Sequence, residues 1–332
     1  MSFVAMKPLL DSAMHNKYAI GAFNVTNLEF LEALIYSAEQ SRSPIILNIA
    51  EVHFKYVDLF SMARIIEAAA IRSTVPVCLN LDHGINFDSV IKAIRCGFSS
   101  VMFDGSTLTL GENIKRTAEV VKIAHSVGVS VEAELGHVGG GEGGEERSAV
   151  DRSMFTRPDE AEKFVNETGI DALAIAFGSV HGRFKDDPNL DFDLLKNIRD
   201  RIGIPLVLHG GSGISNEDFK KAIKLGICKI NIFTEMTIAA TNAIKNTIKE
   251  NPNIISYPDL ALLAKEAIIG VAMEKMETFG SRGRCNASRT LCKECKSFSG
   301  FPPEDAPKSD DSNLKKLVNS IVSKVLVEIE KK

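Results

Sequence analysis

"LNLDHGINF", residues 79–87, begins as a strand and ends in chemistry. Val77, Leu79 and Leu81 alternate with smaller or polar residues, the period-2 pattern of a strand. The chain then delivers Asp82, His83 and Gly84. An acid beside an imidazole, where a strand stops, has two readings. Aspartate and glycine are ordinary turn residues, and aspartate bonds to its own backbone in turns. In a barrel of parallel strands the same place is the rim on which catalytic groups gather. What the other strands end in decides between them.

Seven more short aliphatic runs recur along the first 235 positions: "YAIGAF" (18–23), "PIILNI" (44–49), "SSVMFD" (99–104), "VSVEAEL" (129–135), "ALAIAF" (172–177), "PLVLHG" (205–210) and "CKINIF" (228–233). Amphipathic stretches such as "NLEFLEALIYSAEQS", "FDSVIKAIRCG" and "NEDFKKAIKLG" separate them, several closing on glycine, a common helix stop. Strand and helix alternating eight times predicts parallel pairing and a closed (β/α)8 TIM barrel. A doubly wound open sheet is the alternative. Its nucleotide fingerprint is matched only by "GGGEGG" (139–144), which leads into the polar, irregular "EERSAVDRSM" and opens no helix. That glycine-rich, charged segment reads better as a mobile lid between strand five and the helix near Pro158.

Composition narrows the class. The 332 residues are 45% hydrophobic with a net charge of −4, which fits a large core and gives no footprint for nucleic acid or an anionic membrane. No secretory leader or long apolar run is present, so the cytoplasm is the expected compartment. Cys78, Cys96 and Cys228 lie in apolar patterns and are expected to be buried and reduced.

The eight predicted strands end in informative residues. Asn24 follows the first, Asp82 and His83 the third, Asp104 the fourth, and Glu132 and Glu134 share one face of the fifth. His181 follows the sixth in "GSVHG", His209 the seventh in "HGGSG", and Asn231 and Thr234 the eighth in "NIFT". A lone histidine at a strand end is usually structural. Three on one rim beside carboxylates suit a catalytic zinc, which takes three protein ligands and keeps a position open. His15, His53 and His125 are set aside, and His137 falls on the lid. Gly210, Gly211 and Gly213 form either a tight turn or a loop whose backbone approaches an anion, as barrels do after strands seven and eight. No lysine stands at a strand's C-terminal end, since Lys229 opens strand eight at the other end, so Schiff-base chemistry lacks its residue.

Taken together, "GAFNV", "LDHG", "FDGS", "VEAELG", "GSVHG", "LHGGSGI" and "KINIFTE" resemble, in order and spacing, the zinc-dependent class II ketose-bisphosphate aldolases of the fructose- and tagatose-bisphosphate type, over about residues 1–284. The resemblance implies a metal-dependent aldolase that reversibly cleaves a ketose bisphosphate to dihydroxyacetone phosphate and an aldehyde such as glyceraldehyde 3-phosphate. It implies Zn2+ on His83, His181 and His209, with Asp104 and Glu134 at a second divalent site, and a monovalent cation (Na+ or K+) near the phosphate. Asp82 would exchange a proton with the aldehyde-derived hydroxyl, and Glu142 would move the proton of the ketone half. Asn24, Gly182, the run Gly210, Gly211 and Ser212, and the run Asn231, Ile232, Phe233 and Thr234 would bind substrate. A homodimer or homotetramer is expected.

The chain departs from that pattern on the aldehyde side. Gly143 stands where a lid aspartate is usual, and "IAEVHFKYV" replaces a serine- and glycine-rich turn. Met236 and Thr237 stand where arginine or glutamine is common. Other open readings are an aldolase for a different phosphorylated ketose, a silent sugar-phosphate-binding paralogue, and a metal-dependent hydrolase. Beyond the barrel, residues 285–332 read as a linker containing Cys285, Cys292 and Cys295 and then an amphipathic helix with Leu314, Val318, Ile321, Val325 and Ile329 on one stripe.

Overall fold

The computed structural model describes residues 2–139, 146–147, 151–184 and 189–285. Glu142 and Gly143 of the expected lid, Cys292, Cys295 and the expected C-terminal helix lie outside the described residues.

Eight strands close a barrel. They are β1 (Ile20–Asn24), β2 (Ile45–Ala50), β3 (Val77–Gly84), β4 (Ser100–Phe103), β5 (Ser130–Leu135), β6 (Ala172–Ile175), β7 (Leu206–Leu208) and β8 (Ile227–Ile232). Each pairs in parallel with its chain neighbours, and β8 closes on β1. The expected TIM barrel is present. Helices connect successive strands, and their ends follow sequence signals. Asn27 caps α2 (Leu28–Ser41) by accepting from Phe30 N–H at 3.0 Å. The helix Pro158–Thr168 starts on proline and stops at Gly169, whose φ of 71° needs no Cβ penalty.

Every residue of the eight strands is buried, as expected where helices cover one face and the barrel core fills the other. Most are aliphatic, but the inward face also has a polar column. Asn80 donates to Asn48 at 3.1 Å. Higher up, Lys229 Nζ meets Glu132 at 2.8 and 3.0 Å, with both side chains sealed from solvent. Lys229 shares the parity of Asn231 along β8, so it points inward although it enters the strand from the far end.

Strand β3 contains the irregularity that answers the opening question. Leu81 pairs with Val101 and Gly84 with Phe103, so β3 has one residue more than β4 between those pairs. Strict alternation would send Asp82 and His83 to opposite faces. The bulge, with His83 in the left-handed region at φ 45°, turns both toward the barrel mouth. Gly84 has to be glycine there, because a Cβ would lie 2.6 Å from Met102 O.

The sealed Lys229–Glu132 pair sets a stability test. Lys229→Met is expected to cost the metal-free protein roughly 3–5 kcal/mol, because Glu132 stays buried without its counter-charge. Adding Glu132→Leu is expected to recover most of the loss, as read by urea unfolding of the single and double variants.

Candidate active site

His83, His181 and His209 meet at the barrel mouth. Their donor nitrogens all lie within 4.8 Å of one another. His83 arrives on the β3 bulge, His181 on the loop after β6, and His209 directly after β7. His209 is fully buried, and its ring centroid lies 4.6 Å from that of His83.

Each ring offers one nitrogen to the centre. His83 Nδ1 lies 2.7 Å from Asp104 Oδ2, leaving Nε2 buried without a hydrogen-bond partner. His209 Nε2 lies 2.9 Å from Glu132 Oε1, and its Nδ1 stands 3.1 Å from Glu134 Oε2, outside hydrogen-bond geometry. His181 Nε2 is likewise buried and unpaired. Buried polar nitrogens without partners are costly. Three of them converging is the donor set of a tetrahedral metal with a fourth position left open. Carboxylates on the outward nitrogens of His83 and His209 fix each ring's orientation, as they do around metal-bound imidazoles. A second group that could hold a cation, His83 with Asp104 and Glu134, shares the His83 ring.

The electrostatics point the same way. Burial works against charge here, yet Asp82, Asp104 and Glu132 stay ionised. Burial would raise the pKa of Asp82, but His83, Lys229 and His209 outweigh it and hold it at about 2. Asp104 is held well below the usual range against burial by its bond to His83, and Glu132 is lowered against burial by Lys229 and His209. Burial likewise opposes charge on His83, but Asp82, Asp104 and Glu134 push its pKa well above the ordinary value. His209 is also raised, by Glu132 and Glu134 acting against burial and the nearby His83. Burial and the neighbouring rings drive His181 well below its ordinary value. Without a metal, these shifts favour the charged forms of His83 and His209. The residues fit a divalent cation.

Asp82 sits beside this cluster, fully buried. Asn231 Nδ2 donates to its Oδ1 at 2.9 Å, leaving Oδ2 without a partner. A cavity of about 210 Å³ opens over the cluster, lined by His83, His181, Asp104 and Glu134 together with Val52, Ile85 and His137. His137 Nδ1 lies 3.1 Å from Ser106 Oγ, which ties the start of the lid segment to the loop after β4.

The glycine loop after β7 has a steric logic of its own. Gly210, at φ 64°, passes so close to Val180 O that no Cβ would fit, and a Cβ on Gly211 would lie 2.8 Å from Asn231 O. These glycines bring three rim loops together. Gly213, expected to open its backbone to an anion, gives its N–H to Glu235 at 2.9 Å. Ser212 Oγ accepts from Glu235 N–H at 3.3 Å, and Lys275 holds the Glu235 carboxylate at 2.8 Å. Of the remaining predicted substrate residues, Asn24, Asn231 and Thr234 are buried at the mouth, and Gly182 adopts φ 96°. The side chain of Ile232 lies in the core, so it has only its backbone to offer a ligand. The ring of Phe233 packs at a tilt of 52° against His53, 4.7 Å between centroids, and lines a second cavity. Met236 is buried in the core, whereas its neighbour Thr237 faces a cavity.

The comparisons bear on this geometry. The model of the class II fructose-bisphosphate aldolase family matches residues 4–284. This chain belongs to that family. It is generally a family of zinc-dependent lyases. The fructose-bisphosphate aldolase of Geobacillus stearothermophilus is 43% identical over 287 residues, 86% of this chain and 99% of that one. That of Staphylococcus aureus is 39% identical over the same share of each. Among solved structures, the YdjI aldolase of Escherichia coli K12 matches with a TM-score of 0.75 and 37% identity, covering 85% of this chain and all of that one. No helix among the described residues is long and apolar enough to cross a membrane.

Sequence reasoning passed over Lys229, His53 and His137. The inward parity of Lys229 with Asn231 was the available signal for the first. His53 and His137 have none beyond their nearness to strand ends. His209→Ala is expected to weaken zinc binding by more than the roughly 10–100-fold that a lost supporting contact costs. Competitive zinc titration alongside circular dichroism checks that the site, and not the fold, is lost.

Proposed function

We propose that this protein is a class II aldolase that reversibly cleaves fructose 1,6-bisphosphate to dihydroxyacetone phosphate and glyceraldehyde 3-phosphate. The observation that carries this reading is the convergence of three unpaired imidazole nitrogens beside Asp82, whose free Oδ2 is the group a carbon–carbon cleavage needs. His83, His181 and His209 would hold zinc, and Asp104 and Glu134 would steady that set or bind a second divalent ion. Bound zinc would supply a Lewis acid for the negative charge that develops on the ketone oxygen as the bond breaks.

The chain's own residues would do the rest. Asp82 is ionised across the neutral range, so Oδ2 can take the hydroxyl proton of the departing aldehyde half while Asn231 fixes Oδ1. Glu142 would return a proton to the ketone half. Gly182, Gly210, Gly211, Ser212, Asn231 and Thr234, with Asn24 beside them, would cradle its phosphate, with a monovalent cation nearby. Residues 285–332 are taken as a linker and helix outside the catalytic unit, and assembly as a homodimer or homotetramer is proposed from the resemblance.

A retro-aldol assay on fructose 1,6-bisphosphate tests the reading. Cleavage that disappears on chelation and returns with added zinc is the expected result, whereas hydrolysis without carbon–carbon cleavage would overturn it. Asp82→Asn is expected to retain zinc yet lose about 10²–10⁴-fold in kcat, the usual share of a positioned acid–base group. Zinc content and turnover measured on the same preparation separate that outcome from simple loss of the site.

A further inference from the structure

A second cavity, of about 350 Å³, opens on the same rim beside the first. Val52 lines both and forms their common wall. Its lining includes the tilted ring pair His53 and Phe233, Phe30 beside Phe233, and the polar Asn27 and Thr237. Asp82, His83 and Lys55 all act electrostatically on His53. The second cavity therefore adjoins, at Val52, the one that opens over the imidazole cluster.

Its charge is one-sided. Among the described residues, Lys55 is the sole lysine or arginine lining it, and no carboxylate does so. The Lys55 ammonium sits 4.8 Å over the ring centroid of Tyr56, and among the described residues no carboxylate lies within ion-pair distance of it. Burial pushes His53 down to about 4, so its ring is neutral at pH 7 and adds no positive charge. The ordinary role of an exposed lysine is to be solvated. This one stands over a concave, otherwise uncharged pocket that shares a wall with the reaction site.

We propose that this second cavity receives the far end of the aldehyde half, and that Lys55 recognises a terminal anion there, a phosphate or a carboxylate. The proposal rests on the aldolase reading. Asp82 would act on the hydroxyl of the aldehyde half, so the carbons beyond that hydroxyl run outward from Asp82. The cavity over the cluster meets the second cavity at Val52. The apolar rings of Phe233 and His53 would pack against the carbon chain, and Asn27 and Thr237 would meet its hydroxyls. Lys55 is thus a specificity-determining residue: it selects what the chain ends in, while the cluster selects the ketone.

The test compares substrates that differ only at that end. Values of kcat/KM are measured for fructose 1,6-bisphosphate, for fructose 1-phosphate, and for a ketose 1-phosphate ending in a carboxylate, with zinc-loaded wild type, Lys55→Met and Lys55→Arg. The ratio of anionic-ended to neutral-ended substrate is expected to fall about 10–100-fold in Lys55→Met, the worth of a charge-assisted contact, and to stay within a few-fold in Lys55→Arg. Whichever anion loses more identifies the natural terminus. A Lys55→Met ratio within about twofold of wild type for both anions overturns the proposal. Proton exchange on dihydroxyacetone phosphate, which involves no aldehyde, is followed in the same samples. Its absence from the wild type, together with absence of cleavage, would overturn the aldolase reading itself, whereas normal exchange with an unmoved ratio removes only Lys55.

Discussion

Four carboxylates crowd the mouth of this barrel, and their charge must be balanced within it. Asp82, Glu132 and Glu134 are buried almost completely, and Asp104 nearly so. Taking a carboxylate out of water costs several kcal/mol unless a counter-charge and hydrogen bonds offset it. Lys229 answers for Glu132. Lys229 also acts on Asp82, but among the described residues Asp104 and Glu134 pair only with imidazoles. Either the rings take up protons, as the raised values of His83 and His209 describe, or a divalent cation sits among them. The three unpaired nitrogens give that cation its place. Much of the architecture around them serves this balance: the sealed ammonium beneath, the bulge in β3, and the carboxylates bonded to the outer faces of His83 and His209.

Period and punctuation made the barrel legible. Runs of four to eight aliphatic residues, separated by amphipathic stretches that close on glycine, have few other arrangements in which every strand is covered on both sides. The rim was legible for the same reason, since each strand's last residues announce themselves by turning polar. What was not legible is how side chains turn once a strand departs from regular geometry. Phe233 lies between Asn231 and Thr234 in sequence, yet it follows the end of β8, where backbone torsions aim its ring at His53 and into another cavity. Lys229 reads as a strand-opening lysine, and only the closure of β8 across the axis from β5 shows that it ends on Glu132. Met236 has the hydropathy of a residue that could sit on either side of its helix, and the core claimed it.

The glycine loop illustrates how two explanations of the same residues can coexist. Glycines beside a candidate phosphate site suggest a backbone that must approach a ligand. Gly210 and Gly211 also approach protein, the backbones of Val180 and Asn231, and so lock the loops bearing His181, His209 and Asn231 into one assembly. Lys275, Glu235 and Gly213 continue that fastening to the helix Tyr257–Thr278, whose buried residues include Lys275. Ligand geometry at the metal cluster and loop geometry at the anion site are thus mechanically one piece. A rigid scaffold of this kind is what lets positioned groups act without reorganising.

The extra residue in β3 behaves like a frameshift written in space. Upstream of it, even and odd positions keep their ordinary division between core and mouth; downstream, that division is reset by one. Asp82 and His83 are consecutive in the chain, yet both belong to the mouth because the reset falls on them. A single-residue deletion anywhere between Leu81 and Gly84 would restore the strand's regular rhythm and improve its pairing with β4, while sending one of the two away from the site. Such a chain would hold a better strand and a worse enzyme, so the irregular count is the one that any redesign of this barrel has to copy.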